Sequence, residues 1–458
     1  MPYDFDIVVI GGGPGGYVAA IRGAQLGKKT CLVEKESLGG VCLNRGCIPT
    51  KTIIKSLHVL DTVKSAAEFG VTGVNAGQCG IDLKQVQQRK KKVIARLTGG
   101  VAYLLKANQV EVITGTASFA DRHTLKVGDR TVSGENIIIA TGSLPVEPPI
   151  PREGSAPVMY SDEALELAEA PGEMAIIGGG VIGIEFAFIM SQLGSRVTVI
   201  EMLDEILPMV DVEITRKVRV LLKKKGVTVH TGARVTGFAG DRVYFAKGGA
   251  AESVRADRIL LATGRRPNTD GLNLEAAGVS VAKSGIGVDG SMRTNIDNIY
   301  AIGDVNGRCM LAHVASMEGM VAVENICGGR ARMDYTKIPQ CVYLDPEIAS
   351  VGITEQEARE QGLDVKVGRF NYAGNGKALI EAAEGGMVKV ITDRRLGEIL
   401  GVHMMGAHAT DMIAEMVLAM KLEGTAEEVA AAIHPHPTIS EVIPEAFHAA
   451  LHKAIHAT

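Results

Sequence analysis

The chain has 458 residues, of which 46% are hydrophobic and 22% charged, and its formal net charge at pH 7 is −4. This length is too great for one ordinary core and predicts roughly three domains. The charge gives no electrostatic reason to expect binding to nucleic acid or to an anionic membrane. Because no apolar run reaches the length of a membrane span and no stretch resembles a signal or transit peptide, we expect a cytoplasmic protein.

The first predicted unit, Ile7–Lys35, is a buried strand, a glycine turn, a helix and a second strand. It carries the residues of a dinucleotide fingerprint: Gly11, Gly13, Gly16 and Glu34. The glycines allow a tight turn and a close approach to a pyrophosphate at the helix N-terminus, and the acid accepts hydrogen bonds from a ribose. The alternative is a glycine turn that binds nothing, and a second copy of the unit later in the chain argues against it.

Two cysteines, Cys42 and Cys47, follow this fingerprint directly. On a regular helix their Cα atoms would be roughly 9 Å apart, beyond the roughly 7 Å that a disulfide tolerates. A disulfide between them therefore needs a bend, which Gly46 makes easy. Such a bent bridge over a short loop adds little stability, and any strain makes it easier to reduce, which indicates an electron carrier. The other cysteines are predicted to be buried small hydrophobic residues: Cys31, Cys79, Cys309, Cys327 and Cys341.

A helical insertion is predicted around Ile53–Ala107. The part of the chain that begins with the first unit then closes with a strand and turn at Ile137–Ser143. Within the insertion, the charge run Arg89–Lys92 is typical of a solvated helix face. Docking of an acidic partner on this run is the alternative.

The same unit recurs at Met174–Met202, followed by a similar closing strand and turn at Ile259–Arg265. The equivalent positions hold Gly178, Gly180, Gly183 and Glu201. An acid at the ribose position would repel a 2′-phosphate, so the pattern favours NAD over NADP. The alternative for Glu201 is a solvated strand end.

A buried strand over Asn298–Ile302 leads to Asp304, at a strand end where α/β folds present ligand contacts. A plain turn aspartate is the alternative. After about Tyr335 the pattern changes to that of an α+β domain. It predicts short alternating strands and two helices: Val388–Ile391, Ile399–Met404, Asp411–Leu422 and Ala426–Ile433.

The C-terminal segment contains His434 and His436, each followed by a proline, and then Thr438 and Glu441. A histidine oriented by a carboxylate is the usual construction of a general base, which predicts that role for His436 with Glu441. Alternatively, Thr438 and Glu441 have the spacing of a capping box and only begin a helix. A metal site at the two histidines lacks an evident companion ligand.

Together these motifs resemble the flavin-dependent disulfide reductases, also called pyridine nucleotide-disulfide oxidoreductases, and within them the dihydrolipoamide dehydrogenases. The likeness covers the whole length and includes Leu344–Gly352 and Lys453–His456. It implies an α/β fold with two Rossmann-like dinucleotide-binding domains and an α+β C-terminal dimerisation domain. The expected boundaries are 1–145 with 269–335 for the FAD-binding and central region, 146–268 for the NAD-binding domain, and 336–458 for the interface domain.

The resemblance also implies cofactors and site residues. The residues expected around FAD are Gly11, Gly13, Gly16, Glu34, Lys51, Gly115, Thr141, Gly142, Ser143, Asp304 and an Ala312–His313 turn. Those expected around NAD are Gly178, Gly180, Gly183, Glu201, Val235 and Gly264. The catalytic residues would be Cys42, Cys47, His436 and Glu441, with an ion pair of Lys51 and Glu185 beside the flavin. By spacing alone, Lys51 is a helix-surface lysine and Glu185 a first-turn acid.

The implied reaction is the oxidation of protein-bound dihydrolipoyl groups through a Cys42–Cys47 disulfide and FAD to NAD. The implied assembly is an obligate homodimer in which His436 comes from the second subunit. Expected partners are the lipoyl domains of 2-oxo acid dehydrogenase or glycine-cleavage complexes. Two positions, Val41 and Pro435, depart from the commonest form of the family, and Pro435 bears on how His436 approaches the substrate.

Other functions compete with this one. Glutathione reductase would need cationic residues where Glu201 and Met202 stand, and mercuric reductase usually adds a C-terminal cysteine pair, where this sequence has Ala457–Thr458. A redox-sensing or scaffold module with a flavin that never turns over is the alternative from another class. A diaphorase side activity on quinones also stays open.

Overall fold

A computed structural model describes residues 3–456, so that Met1, Pro2, Ala457 and Thr458 lie outside the described residues. The described residues form thirteen α-helices: α1 Pro14–Gln25, α2 Gly40–Arg45, α3 Cys47–Lys64, α4 Leu83–Ala107, α5 Ser161–Ala164, α6 Val181–Gln192, α7 Val212–Lys224, α8 Ala312–Ile326, α9 Glu355–Glu360, α10 Gly376–Ile380, α11 Ala409–Lys421, α12 Ala426–Ala431 and α13 Val442–Ala450.

Within the same range there are twenty-five β-strands. They are β1 Phe5–Ile10, β2 Thr30–Glu34, β3 Glu111–Thr114, β4 Ala117–Phe119, β5 Thr124–Val127, β6 Arg130–Ile139, β7 Ser143–Pro145, β8 Arg152–Glu153, β9 Val158–Met159, β10 Glu173–Ile177, β11 Arg196–Ile200, β12 Thr228–His230, β13 Ala233–Ala239, β14 Arg242–Lys247, β15 Ala250–Arg255, β16 Arg258–Leu261, β17 Arg265–Pro267, β18 Val281–Ala282, β19 Gly285–Ile286, β20 Ile299–Ala301, β21 Gln340–Val342, β22 Glu347–Gly352, β23 Val365–Asn371, β24 Met387–Asp393 and β25 Ile399–Gly406.

The N-terminal sheet is built around the first predicted unit. Its strand order is β3-β2-β1-β6-β5-β4, and β20 also pairs with β6. Strand β1 is parallel to β2 and β6, and β20 is parallel to β6. The parallel strands are almost entirely buried because helices cover them, as in other parallel sheets. The pairing of β20 with β6 brings the Asp304 segment to the same sheet edge as the first glycine loop.

The second predicted unit forms a sheet of its own in the order β12-β11-β10-β16-β9. Strand β10 is parallel to both β11 and β16, as β1 is to β2 and β6. Each glycine turn thus lies at the carboxyl end of a central parallel strand, where open α/β sheets bind ligands.

The C-terminal sheet, β21-β22-β25-β24-β23, is antiparallel. The prediction of alternating strands is wrong here, because β24 and β25 are buried on both faces. Val388 and Val390 pack with α11 and α13, whereas Met387 packs against the core of the second Rossmann-like sheet. Because helices cover one face of the sheet and another domain covers the other, its strands show no alternation of buried and exposed side chains. The predicted fold class, two Rossmann-like units followed by an α+β domain, is confirmed.

Two smaller predictions are wrong in part. Arg89, Lys91 and Lys92 are exposed, as expected of a solvated helix face, but Lys90 is fully buried: its Nζ donates a 2.6 Å hydrogen bond to the carbonyl oxygen of Leu165 and pairs with Glu166. Among the single cysteines, Cys31 is buried as predicted, but Cys327 is exposed and the other three are half-buried. No helix within residues 3–456 combines the length and apolar character that a membrane crossing requires.

Candidate active site

Both glycine loops have a backbone conformation that favours glycine. The φ angle is +104° at Gly11 and +109° at Gly178. A Cβ atom at these positions would lie 2.3 Å and 2.4 Å from the facing backbone carbonyl oxygen. The third glycine of each loop is similarly constrained, since a Cβ would lie 1.8 Å from a carbonyl oxygen at Gly16 and 2.0 Å at Gly183. No larger residue fits at these four positions without moving the backbone.

Each loop leads into a helix that no side chain caps. Gly13 is the N-cap of α1 and Gly180 the N-cap of α6, both with ψ −176°. A Cβ at Gly180 would meet no atom within 4 Å, so the space in front of α6 is open. The free N–H groups of such a helix end attract phosphate. The two loops therefore fit the pyrophosphates of two dinucleotides.

An acidic side chain holds each loop in place. Glu34 Oε2 accepts a 2.6 Å hydrogen bond from the backbone N–H of Gly12. The buried Glu201 accepts one of 2.5 Å from the N–H of Gly179. Carboxylate oxygens have further lone pairs, so both acids can also accept hydrogen bonds from a ribose.

Asp304 lies in the 3-10 helix Gly303–Asn306, just after β20. Burial raises the pKa of its carboxyl group above the ordinary value. Ser143 donates a hydrogen bond to Asp304, and Arg265 Nε donates one of 2.7 Å to Ser143 Oγ. The structure thus joins the closing turns of both predicted units at Asp304.

The other positions expected around FAD lie near these groups. The N–H of Gly115, at φ +155°, donates a 2.9 Å hydrogen bond to the carbonyl oxygen of Glu34. Thr141 Oγ1 donates one of 2.6 Å to the carbonyl oxygen of Asn268. Gly142 has φ +73° with no atom within 4 Å of an added Cβ. Backbone and side-chain hydrogen bonds thus hold Gly115 and Thr141, and the space beside Gly142 is open.

Four further residues were expected near the two cofactors. Gly264, at φ +107°, also faces open space, and Val235 lies on β13. The expected Ala312–His313 turn is wrong, because Ala312 is the first residue of α8. The His313 ring lies 3.0 Å from the carbonyl oxygen of Pro339, and burial lowers its pKa.

The cysteine pair lies at the junction of two helices. Cys42 is on α2, which ends at Arg45, and Cys47 is the first residue of α3. Between the two helices Gly46 has φ −141° and ψ −110°, which is the bend that the spacing requires. Both cysteines are free thiols in this structure.

The two thiols shift each other's pKa in opposite directions. Their interaction lowers the pKa of Cys47 to about 7 and raises that of Cys42. The ammonium group of Lys51, one turn further along α3, also lowers the pKa of Cys47. Cys47 is therefore the more readily ionised thiol of the pair, and the thiolate is the reactive form of cysteine.

Lys51 joins the cysteine helix to the helix of the second glycine loop. Its Nζ lies 3.0 and 2.8 Å from the two carboxylate oxygens of Glu185 on α6. Glu185 is buried in the second turn of α6, so the assignment to the first turn that its spacing gave is wrong. Its Oε1 also accepts a 3.0 Å hydrogen bond from the N–H of Tyr343, whose ring lies 4.6 Å from Lys51 Nζ.

In the C-terminal segment, Glu441 makes the contacts that both of the roles considered above require. Its Oε1 lies 2.9 Å from His436 Nδ1, and its Oε2 accepts a 2.9 Å hydrogen bond from the N–H of Thr438. A capping box and a histidine–carboxylate pair are thus present together. His436 is 79% exposed, so its Nε2 is open to a partner or substrate. Among the described residues, no group of three potential ligands could hold a metal ion.

One buried group that supports this site is not among the residues predicted from the sequence. Glu318 on α8 is fully buried, and burial raises its pKa. Its Oε2 accepts hydrogen bonds from the N–H of Gly303 at 2.5 Å and from the side chain of Asn306 at 2.9 Å, which fixes the turn that carries Asp304. The available signal was an acid inside the apolar helical stretch Val314–Val323.

Comparisons with known proteins agree with this geometry. Residues 5–319 match the family described as pyridine nucleotide-disulphide oxidoreductase, and residues 338–447 match its dimerisation domain. A dihydrolipoyl dehydrogenase of Bacillus subtilis (strain 168) is 44% identical over 477 residues, covering 100% of both chains. A dihydrolipoyl dehydrogenase of Geobacillus stearothermophilus is 44% identical over 460 residues, covering 98% of this chain and 97% of that protein.

A solved structure is similar over nearly the whole chain. It is the HOCl-induced flavoprotein disulfide reductase of Escherichia coli, with a TM-score of 0.86 at 30% identity, covering 96% of this chain and 99% of that one. The predictions of a flavin-dependent disulfide oxidoreductase and of FAD and NAD as its cofactors are confirmed. Fold, glycine loops and relatives agree, and this chain belongs to the pyridine nucleotide-disulphide oxidoreductase family.

Proposed function

We propose that this protein is a dihydrolipoyl dehydrogenase that oxidises dihydrolipoyl groups and passes their electrons through Cys42, Cys47 and FAD to NAD. The observation that carries the proposal is the position of the cysteine pair. It follows the first glycine loop directly, and the ion pair of Lys51 and Glu185 links its helix to the helix of the second loop. A dithiol pair between two dinucleotide loops suits the transfer of electrons from a thiol substrate to a nicotinamide.

The residues that would hold FAD are those of the first loop and the two turns near it: Gly11, Gly13, Gly16, Glu34, Lys51, Gly115, Thr141, Gly142, Ser143, Asp304 and Ala312. Those that would hold NAD are Gly178, Gly180, Gly183, Glu201, Val235 and Gly264. When bound, FAD would supply an acceptor for the electron pair and NAD an acceptor for hydride. Glu201, together with the neutral and 64% exposed Met202 that follows it, favours NAD over NADP.

The chemistry of the cysteine pair follows from its pKa values. His436, with Nδ1 held by Glu441, would take a proton from a substrate thiol through Nε2. The substrate thiolate would attack Cys42, break the Cys42–Cys47 bond and release Cys47 as a thiolate, the form that the nearby ammonium group of Lys51 favours. The second substrate thiol would then displace Cys42 and close the substrate disulfide. Lys51 would stabilise the negative charge on Cys47.

We also propose that the active unit is a homodimer, in which His436 of one subunit serves the cysteine pair of the other. The interface domain, 336–458, would supply the contact between subunits. Residues 1–145 and 269–335 would hold FAD, and residues 146–268 would hold NAD. Large apolar side chains on its surface support this, among them Leu422 at 73% and Ile433 at 99% exposure. The lipoyl domains of cytoplasmic 2-oxo acid dehydrogenase or glycine-cleavage complexes would be the substrates.

A hybrid dimer tests the shared site. One subunit carries Cys42→Ser and the other His436→Gln, so that only one of its two sites is intact. Each parent homodimer should lose activity, about 10²- to 10⁴-fold for the lost base. The hybrid should recover about half of the wild-type rate, and a hybrid no more active than its parents would rule the shared site out.

A steady-state assay tests the reaction itself. The purified protein should reduce NAD with dihydrolipoamide and should reduce NADP at least about 10-fold less efficiently, since Glu201 would meet the 2′-phosphate. Oxidised glutathione with NADPH should give no turnover. Turnover of glutathione disulfide but not of lipoamide would overturn the assignment, and a bound flavin that turns over neither substrate would indicate a sensing role.

A further inference from the structure

The second histidine of the C-terminal segment, His434, is in a very different environment from His436. Its side chain is 8% exposed, against 79% for His436. Its Nδ1 lies 3.0 Å from the carbonyl oxygen of Ala432, and its Nε2 lies 3.1 Å from Glu415 Oε1. A carbonyl and a carboxylate oxygen are both acceptors, whereas a neutral imidazole has a single N–H. Both contacts are hydrogen bonds only when the ring is protonated.

The surroundings of His434 favour that protonated form. Glu415 on α11 is its hydrogen-bonded partner, and the negative charge of Glu441 also acts on the ring. The Glu415 hydrogen bond, together with these negative charges, raises the pKa of His434 above the ordinary value. An imidazolium therefore fastens the start of the segment to the side of α11.

His436 lies between two fixed points of the segment, His434 upstream and the contacts of Glu441 downstream. Downstream, Glu441 binds both the His436 ring and the N–H of Thr438. Pro435 separates the two histidines and fixes its own φ, and its carbonyl oxygen accepts a 2.7 Å hydrogen bond from Thr438 Oγ1. With the chain stiffened in this way, the direction of His436 depends on where each end of the short segment is fastened.

We propose that His434, held by Glu415, is a positioning residue that sets the approach of His436 to the substrate thiol. This rests on the proposed function, in which His436 is the base. This role also gives a reason for a proline at position 435. Because Pro435 restricts the backbone between the two histidines, a fixed His434 also fixes where His436 lies. Removing the His434 contacts leaves the Glu441 contact intact but frees the upstream end of the segment.

The test separates the two half-reactions of the FAD-loaded protein. In the first, dihydrolipoamide reduces the enzyme; in the second, NADH reduces it from the other side without needing His436. His434→Ala removes both hydrogen bonds, and Glu415→Gln keeps the shape but removes the charge. A misplacement of about 1 Å at a reacting group can slow a reaction about 100-fold. We therefore expect His434→Ala to slow the first half-reaction roughly 10- to 100-fold, with a smaller effect for Glu415→Gln.

Reduction by NADH should stay at the wild-type rate in both variants. His456 offers a matched control, because it pairs with Glu445 at 2.8 Å and is 66% exposed elsewhere in the same domain. His456→Ala should leave both half-reactions unchanged. His434→Gln, which keeps a donor toward Glu415, should recover part of the rate lost in His434→Ala.

Two results would overturn the proposal. The first is reduction by dihydrolipoamide at the wild-type rate in both Glu415→Gln and a folded His434→Ala. The second is an equal loss in both half-reactions, which is the sign of general structural damage. His436→Gln tells this failure from a failure of the proposed function. If that variant is also as fast as wild type, His436 is not the base; if it alone is slow, only the positioning role is wrong.

Discussion

A buried ion cluster joins the second Rossmann-like domain to the C-terminal sheet, and we expect it to dominate the stability of that contact. Lys389 on β24 is 1% exposed, and its Nζ lies 2.8 Å from each of Asp211, Glu213 and Glu355. Glu213 and Glu355 also pair with Arg369. Asp211, itself 1% exposed, relies on Lys389 for its charge partner.

Lys389→Met would leave the Asp211 carboxylate buried without a countercharge. Breaking a buried pair in this way costs about 3–5 kcal/mol. Replacing Asp211 by Asn as well removes that charge and keeps a good N-cap for α7. The double variant should therefore lose less stability than the sum of the two single variants, with a coupling of about 0.5–3 kcal/mol.

Urea unfolding of the FAD-loaded protein measures these free energies. Lys377→Met is the control, since Lys377 forms a half-exposed i,i+4 pair with Glu381 at 3.0 Å. Helix pairs of this spacing typically contribute about 0.3–0.5 kcal/mol. If Lys389→Met costs no more than Lys377→Met, or if the two cluster variants are additive, the cluster does not carry the contact and the reasoning from burial is refuted.

Further predictions concern the loops, the base, the thiols and acid stability. Gly178→Ala should weaken NADH binding, measured by fluorescence, at least about 10-fold through backbone strain, while the ratio of flavin to protein stays at the wild-type value. Glu441→Gln should slow oxidation of dihydrolipoamide roughly 100-fold or more in stopped-flow assays, and an unchanged rate would limit Glu441 to its capping role. Alkylation of the reduced enzyme should accelerate as pH rises through about 7, the pKa of Cys47, with a higher midpoint in Lys51→Met. The hydrogen bond from Arg369 lowers the pKa of Glu213 from 4.5 to about 2, so the stability from this carboxylate is complete above pH 4.5 and is lost as pH falls toward 2; the pH dependence of urea unfolding should flatten there in Glu213→Gln.

The parts of the site that depend on local spacing could be predicted from the sequence. At Gly11 and Gly178 a strand turns into a helix at positive φ, close to a neighbouring carbonyl oxygen. The repeated glycine pattern of the sequence was enough to predict both positions. The bend at Gly46 followed from the reach of a disulfide. These features need no knowledge of distant contacts.

The parts that depend on contacts between distant segments could not be predicted by spacing. By spacing alone Glu185 is an acid near a helix N-terminus, and only the fold brings Lys51 to it from 134 positions away. Lys90 resembles a solvated lysine until the segment after α5 covers it. Strand β24 lacks alternation because another domain covers its second face, and Glu318 acts through a turn that precedes its own helix. In each case the partner, not the local pattern, decides the role.

The absorption spectrum of the flavin-loaded protein, recorded without oxygen after one equivalent of dihydrolipoamide, tests the central claim most directly. We expect a new long-wavelength band from the Cys47 thiolate beside oxidised flavin, together with two newly alkylatable thiols, and no such band in Cys47→Ser. A wild-type spectrum that stays unchanged, or a flavin that is reduced while Cys42 and Cys47 remain inaccessible to alkylation, would contradict the account.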